Sequence, residues 1–338
     1  MGKLRIIVTG LIGQYPLGGV TWDYMQYATG LMRLGHDVYY LEDTGQHPFN
    51  PLEGGISGEC DFNVSYLREV MARFDMEDRW AYHFPWDSQW FGLADDRREA
   101  VVRSADILIN VSGVLAWPEK YRHIPCLVYI DSDPVFTQVK LARGQVDFQR
   151  MLETHDVHFS FGERLSDAVP KTAFDWRPTR QPVVLDEWHQ GGTARDVYTT
   201  VMNWTSYKPL EYRGTTYAQK DVEFERFIDL PGRVPEVSLE IAVNTGKTRR
   251  TPRGLLERKG WHVVHPDQVC PDMEGYRSYI THSRAEWSIA KNGYVQGQSG
   301  WFSCRSACYL AAGRPVVVQD TCYSKVLPTG TGIVTFST

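Results

Sequence analysis

SGWFSCRSACYLAAGRPVVVQDT, residues 299–321, is the stretch on which the reading of this chain turns. Its punctuation is that of a helix feeding a strand. Ser299 or Ser303 can cap the helix, Gly313 can end it, and Arg314-Pro315 leads into the apolar run Val316–Val318. A helix start and a strand end then flank one crevice, which is where an open α/β sheet takes its ligands.

The same rhythm runs outward in both directions. Leu4–Thr9, Asp37–Leu41, Ile107–Val111, Leu127–Ile130 and Val157–Phe161 read as strands. Between the first two lies TWDYMQYATGLMRLG, where Tyr24, Ala28 and Leu31 keep helical spacing between a cap at Thr21 and a stop at Gly35. Prolines 170, 178 and 182 and the pair Gly191-Gly192 break the pattern. It resumes with strands at Thr200–Asn203, Leu239–Val243, Trp261–Val264, Trp287–Ala290 and Gly332–Phe336, and with helices at Asp221–Asp229, from Thr251-Pro252 and from Glu274. Short apolar runs between helices predict parallel sheets covered on both faces. The expected fold is α/β, two Rossmann-like domains facing across a cleft, residues 1–180 and 181–338.

Composition narrows the function classes. The 338 residues are 42% hydrophobic and 23% charged, with a net charge of −5. That balance offers nucleic acid no general attraction, so none is expected as a partner. No apolar run approaches the ~20 residues of a membrane span, and a cytoplasmic location is expected. The six cysteines form no CxxC pair and have no matching histidine spacing, so neither a metal site nor a disulfide is expected. Cys304 and Cys308, four apart, read as packing on one helix face. A dinucleotide site would need G-x-G-x-x-G after the first strand and an acid after the second. Glu42 or Asp43 supplies the acid, but Gly10-Leu-Ile-Gly13 followed by Gly18-Gly19 has the wrong spacing.

Three stretches together resemble the two-domain glycosyltransferases of the GT-B type. PLGGVTWDYMQYATGLMRLGHDVYYLE (16–42) is similar to that family's Gly-Gly loop and helix ending in L-x-x-x-G-H-x-V. Residues 299–321 resemble its helix ending in A-x-G-x-P-V-V, which precedes the acidic or amide pair that holds a donor sugar. PTGTGIVTF (328–336) is similar to its G-x-G-x-V turn, and YIDSDPVFTQ (129–138) looks like a segment in relatives of spore-maturation glycosyltransferases. The family's Glu-x7-Glu pair is absent, with Gly300 and Cys308 standing in its places. The chain also ends soon after Phe336, without the family's closing helices, so a shortened second domain is expected.

The resemblance implies a nucleotide-sugar donor, a UDP- or TDP-sugar, held without metal or other cofactor, and a small-molecule or glycan acceptor. Helix N-termini and cations stabilise a diphosphate leaving group. Gly18, Gly19, Ser299, Gly300 and the Trp301 amide fit the first requirement. Lys208, Lys220, Lys247 and Arg249 fit the second, with Arg305 equally suited to a local ion pair. His265 leads the loop expected under the base, while Asp320 and Thr321 are expected on the sugar. Asp131 and Asp133, directly after a strand, are the expected catalytic carboxylates, with Asp23 and His83 as secondary candidates. Trp86 and Trp90, in a stretch read as loop, suit a flat acceptor. A non-catalytic nucleotide- or sugar-binding partner and a nucleotide-sugar epimerase are the alternatives, and the oligomeric state stays open.

Overall fold

Apolar runs buried on both faces, such as Ile6–Thr9 and Val38–Glu42, fold into the strands of two open sheets. The computed structural model describes residues 2–337 apart from 190–192, 245, 247 and 248. The first sheet contains β1 (Arg5–Thr9), β2 (Asp37–Glu42), β3 (Trp80–Phe84), β4 (Gln89–Gly92), β5 (Ile107–Val111), β6 (Cys126–Asp131), β7 (Val157–Ser160) and β8 (Trp176–Pro178). Their order is 8-7-6-5-1-2-3-4, parallel except for the hairpin β3–β4. The second contains β9 (Tyr198–Asn203), β10 (Leu239–Asn244), β11 (His262–Val264), β12 (Ala285–Ser288), β13 (Val316–Gln319) and β14 (Ile333–Phe336). Its order is 11-10-9-12-13-14, parallel throughout. Strand order reverses beside β1 in one sheet and beside β9 in the other, and those reversals fix where the crevices open.

Three helices position the cleft. The first, α1 (Gly18–Arg33), follows β1; α2 (Met273–Thr281) precedes β12; α3 (Cys304–Ala311) precedes β13. Helix α1 lies against α2 from the other sheet. Trp22 Nε1 donates to the Met273 carbonyl at 2.8 Å, and a Cβ on Gly18 would overlap the Asp272 carbonyl oxygen. One apolar core, including Trp22, Met273, Tyr276 and Tyr309, runs through this interface. Among the described residues, no helix is long and apolar enough to cross a membrane.

Several boundaries differ from the sequence reading. Helix α1 opens at Gly18 instead of after Thr21, whose hydroxyl donates to the Leu17 carbonyl inside the first turn. Helix α3 opens at Cys304, so that of the two expected caps Ser303, not Ser299, stands at the N-cap position, while the Gly300 amide donates to the Thr321 carbonyl at 2.8 Å. Pro252 stands before the helix Arg253–Arg258 instead of inside it. The Asp221–Asp229 helix breaks into Lys220–Phe224 and a tighter turn, Glu225–Phe227. The tryptophan-rich 84–92 loop is a turn followed by strand β4, which sets Trp90 against His83 and leaves Trp86 exposed in the turn. Trp176–Pro178, inside the expected crossing segment, pairs with β7 as an edge strand.

Candidate active site

The carboxyl ends of the two sheets face each other across a cleft of ≈ 360 Å³. From the first domain come Gly18, Gly19, Val20 and Asp23; from the second come Asn203, Lys220, Asn244, Lys291, Trp301 and Arg305. The N-terminus of α1 points its first turn here, with no side-chain cap and no acid in that turn. Its partial positive charge is therefore available to an anion. Gly18 and Gly19 let α1 come close to Asp272 and Tyr276, which is what brings this helix end into the cleft.

Three cations collect in the second wall. Arg305 is held by Glu286 at 2.6 Å, the Val201 carbonyl at 2.6 Å and the Ser288 hydroxyl. Lys291 reaches Asp133 of the opposite wall at 2.9 Å, with its ammonium 4.7 Å from the centre of the Tyr207 ring. Lys220 makes no ion pair among the described residues. Burial, with Arg305 and Lys291 nearby, holds its ammonium well below the usual lysine range.

A second chamber, ≈ 520 Å³, shares Val20, Asp23, Ser206, Lys291 and Tyr294 with the cleft and continues into the first domain. Both expected carboxylates line it, in different states. Asp131 is 1% exposed and accepts from Thr137 at 2.7 Å, Ser160 at 2.9 Å, Gln138 at 3.1 Å and the Asp133 amide at 3.1 Å. Burial still pushes its carboxyl up to about 6. Asp133 accepts from Lys291, Tyr207 and Tyr294, all from the second domain. Burial alone would raise its carboxyl; the Lys291 charge and the tyrosine hydroxyls outweigh that and hold it below the usual range. Asp23 is different again. It is half-buried where cleft and chamber meet, and burial pushes its carboxyl up to about 7 against a Cys304 hydrogen bond and the Arg305 charge.

The structure brings Gly18, Gly19, Lys220 and Trp301 into the cleft, and Asp131 and Asp133 into the chamber beside it. Trp301 contributes its ring, stacked on Tyr294 at 4.3 Å. Other expected residues stand elsewhere. Ser299 is fully buried. Gly300 spends its amide on Thr321; its φ of +74° and the Arg164 backbone, 2.8 Å from where a Cβ would lie, explain the glycine. Asp320 accepts from the Ser324 hydroxyl at 2.6 Å and from its amide, while the Thr321 hydroxyl donates to the Trp301 carbonyl. Arg249 pairs with Glu225 and Asp221, and Lys208 is exposed outside both cavities. His265 caps the helix Pro266–Val269, of which Pro266 and Asp267 line the cleft. Lys247 lies outside the described residues. Glu42, offered as a ribose acid, accepts from the Gly13 amide and the Tyr40 hydroxyl and so shapes the loop after β1.

Lys291, directly after the run Trp287–Ala290 read as a strand, escaped the sequence reading. Tyr207 and Tyr294 carry no sequence signal, since an aromatic in a loop or short helix is most often packing. Among the described residues, no group of three or more His, Cys, Asp or Glu could hold a metal ion.

Two α/β domains of Rossmann type facing across such a cleft make a GT-B-type fold. No family model matches the chain, and no curated protein matches it in sequence. Solved structures do share its shape. An alpha-glucosyltransferase in complex with UDP and a 13-mer DNA containing a HMU base gives a TM-score of 0.54 at 12% identity, over 98% of this chain and 82% of that one. The alpha-glucosyltransferase in complex with UDP-glucose and DNA containing an abasic site gives 0.53 at 12% identity over the same shares, 98% and 82%. That with UDP and a 13-mer DNA containing an A:G mismatch gives 0.52 at 13% identity, over 94% and 80%. At such identities the likeness is one of fold. The expectation that nucleic acid is not a partner is corrected by these structures, in which proteins of this fold hold DNA. A net charge of −5 averages over the whole surface, whereas binding is decided by local patches.

Proposed function

We propose that this chain is a glycosyltransferase that takes its sugar from a nucleoside-diphosphate donor, with residues 181–338 holding the donor and 1–180 the acceptor. The observation that carries the reading is the convergence of Lys220, Lys291 and Arg305 with the uncapped end of α1 in one cleft. A diphosphate leaving group gains charge as the glycosidic bond breaks, and fixed cations and helix amides stabilise that charge most when they are already in place. Lys220, buried without an ion-pair partner among the described residues and displaced toward neutrality, is the residue whose charge a bound anion would restore. These three cations supply the charge compensation in this proposal, and the donor is a UDP- or TDP-sugar.

Asp23 is the base in this reading. It faces both the cleft and the chamber, and a carboxylate poised near 7 takes a proton from an acceptor hydroxyl effectively at neutral pH. The role first expected of Asp131 and Asp133 becomes one of positioning. Asp131's oxygens are already occupied by four donors, and Asp133 is committed to Lys291 and two tyrosines.

Thermal unfolding with UDP, TDP, GDP, ADP and NAD in turn tests the donor half. A ligand at ~100 times its Kd adds ~2.7 kcal/mol of stability. Stabilisation by one nucleoside diphosphate and not by NAD supports the proposal; no response from any of them removes it. Transfer assays with the matching sugar nucleotide, offered small hydroxyl acceptors, glycans and a DNA oligonucleotide, then decide the acceptor.

A further inference from the structure

A separate cavity of ≈ 790 Å³ opens on the first domain, between the sheet face that carries Leu41 and the short helix that ends at Tyr121. It shares no lining residue with the cleft or the chamber. Its floor is a fixed hydrogen-bonded set. Asp43 is 1% exposed; one carboxylate oxygen lies 2.8 Å from His83 Nδ1, and the other accepts from the Tyr121 hydroxyl at 2.8 Å. A buried carboxylate in that position needs the proton on Nδ1, which fixes the tautomer and leaves Nε2 free. No partner of Nε2 occurs among the described residues. The ring stacks on Trp90 at 4.7 Å, and the Arg98 guanidinium lies 4.2 Å from the centre of the same indole, so imidazole and guanidinium are held in one rigid stack.

The walls add charge of one sign. Arg98, Arg103 and Lys120 line the cavity, against one wall acid, Glu99. Arg98 has a partner in Asp95, but that side chain is 78% exposed, and such pairs yield readily to a better anion. Three wall cations outnumber the acids Glu99 and Asp43, so net positive charge faces the opening. A phosphoryl group meets that charge, and its several oxygens suit donors arriving from different sides.

We propose that this cavity binds a phosphoryl group, with Arg98, Arg103 and Lys120 donating from the walls and His83 Nε2 facing it from the floor. Asp43 is the positioning residue that turns Nε2 of the imidazole toward the ligand. The site is independent of the donor cleft, which has cations of its own.

The test follows the ring nitrogens of His83 by 15N NMR in the full chain during titration with inorganic phosphate, glucose 6-phosphate and a thymidine dinucleotide. The Nε2 signal is expected to move and saturate. Arg103→Ala and Lys120→Met, both at exposed positions, are each expected to weaken binding by about tenfold. Asp43→Asn should reduce the response while Asp43→Glu restores part of it, and Lys220→Met, in the other cleft, should leave it unchanged. A response to the two monoanion-to-dianion ligands alone assigns the site to small phosphorylated compounds; one to the dinucleotide as well assigns it to a phosphodiester backbone. No movement with any of the three at ~10 mM, or movement unaltered in both Arg103→Ala and Lys120→Met, overturns the proposal.

Discussion

The two walls of the cleft and its adjoining chamber carry opposite charge and manage it in the same way. On the first-domain side stand Asp23, Asp131 and Asp133; on the other stand Lys220, Lys291 and Arg305. Most of these charges are committed. Asp131 has its four neutral donors, Arg305 has Glu286, and Asp133 and Lys291 have each other. Three groups have no ion pair among the described residues, and all are displaced toward neutrality: Asp131 up to about 6, Asp23 up to about 7, Lys220 well below its usual range; of these, Asp131 has its oxygens filled by its four donors. Paired charges hold the walls, while displaced ones are kept where a substrate can settle them. That contrast separates working groups from structural ones more sharply than position after a strand does.

The largest effect is expected at Asp23. Asp23→Asn should lower turnover by ~10²–10⁴-fold with donor affinity retained, because the amide keeps the shape and cannot take a proton. In the unaltered protein the rate should rise with pH through about 7 as the carboxylate forms, and the variant should lose that limb. A variant with full turnover would break the contrast on the first wall.

Lys220→Met comes next, with UDP affinity by calorimetry expected to fall by ~10²-fold. The unliganded variant should melt higher, since an ammonium without a counter-ion no longer has to be desolvated. The pH dependence has a definite sign. Between the depressed value of folded Lys220 and that of the unfolded chain, the unfolded state binds the extra proton, so stability without ligand rises with pH. A bound diphosphate restores the charge, so donor affinity falls across the same window. Equal affinity at pH 7 and pH 10 would show that Lys220 is not the group answering the phosphates.

Gly18→Ala tests the geometry that brings the walls together. The added methyl would meet the Asp272 carbonyl and the Tyr276 Cβ, at an expected cost of ~1–3 kcal/mol in melting experiments. Donor affinity should fall with it, because the α1 terminus is pushed from the cleft. The smallest effect is expected for Asp320→Ala, ~1 kcal/mol of stability from the lost bonds to Ser324 and no change in UDP binding. A loss of sugar-nucleotide affinity there would return Asp320 to the site.

Much of the fold was legible in the chain itself. β-branched runs at regular intervals marked eleven strands of the two sheets, and Gly-Arg-Pro at 313–315 marked the entry to β13. The tryptophan-rich hairpin escaped because β4 is an exposed antiparallel edge, where hydrophobic periodicity is weakest. In the candidate site, Gly18, Gly19 and Lys220 could be named from the resemblance to GT-B-type glycosyltransferases. Asp320 could not be separated from them, since a strand-end acid looks the same whether it faces a cleft or caps its own turn.

The sequence by itself therefore determined the alternation of elements, the two-sheet architecture and the set of residues that stand at strand ends. Those properties arise from neighbours a few positions apart: side-chain periodicity, caps and glycine conformations. Which strand-end residues meet was decided by tertiary structure. Lys291 and Asp133 are 158 positions apart in the chain, and packing between the domains, of α1 on α2 and of Val135 and Phe136 on Gly297 and Tyr294, sets their walls face to face. The pairing or isolation of each charge, and with it the proton affinity of Asp23 and Lys220, depends on distances and burial that no local pattern encodes.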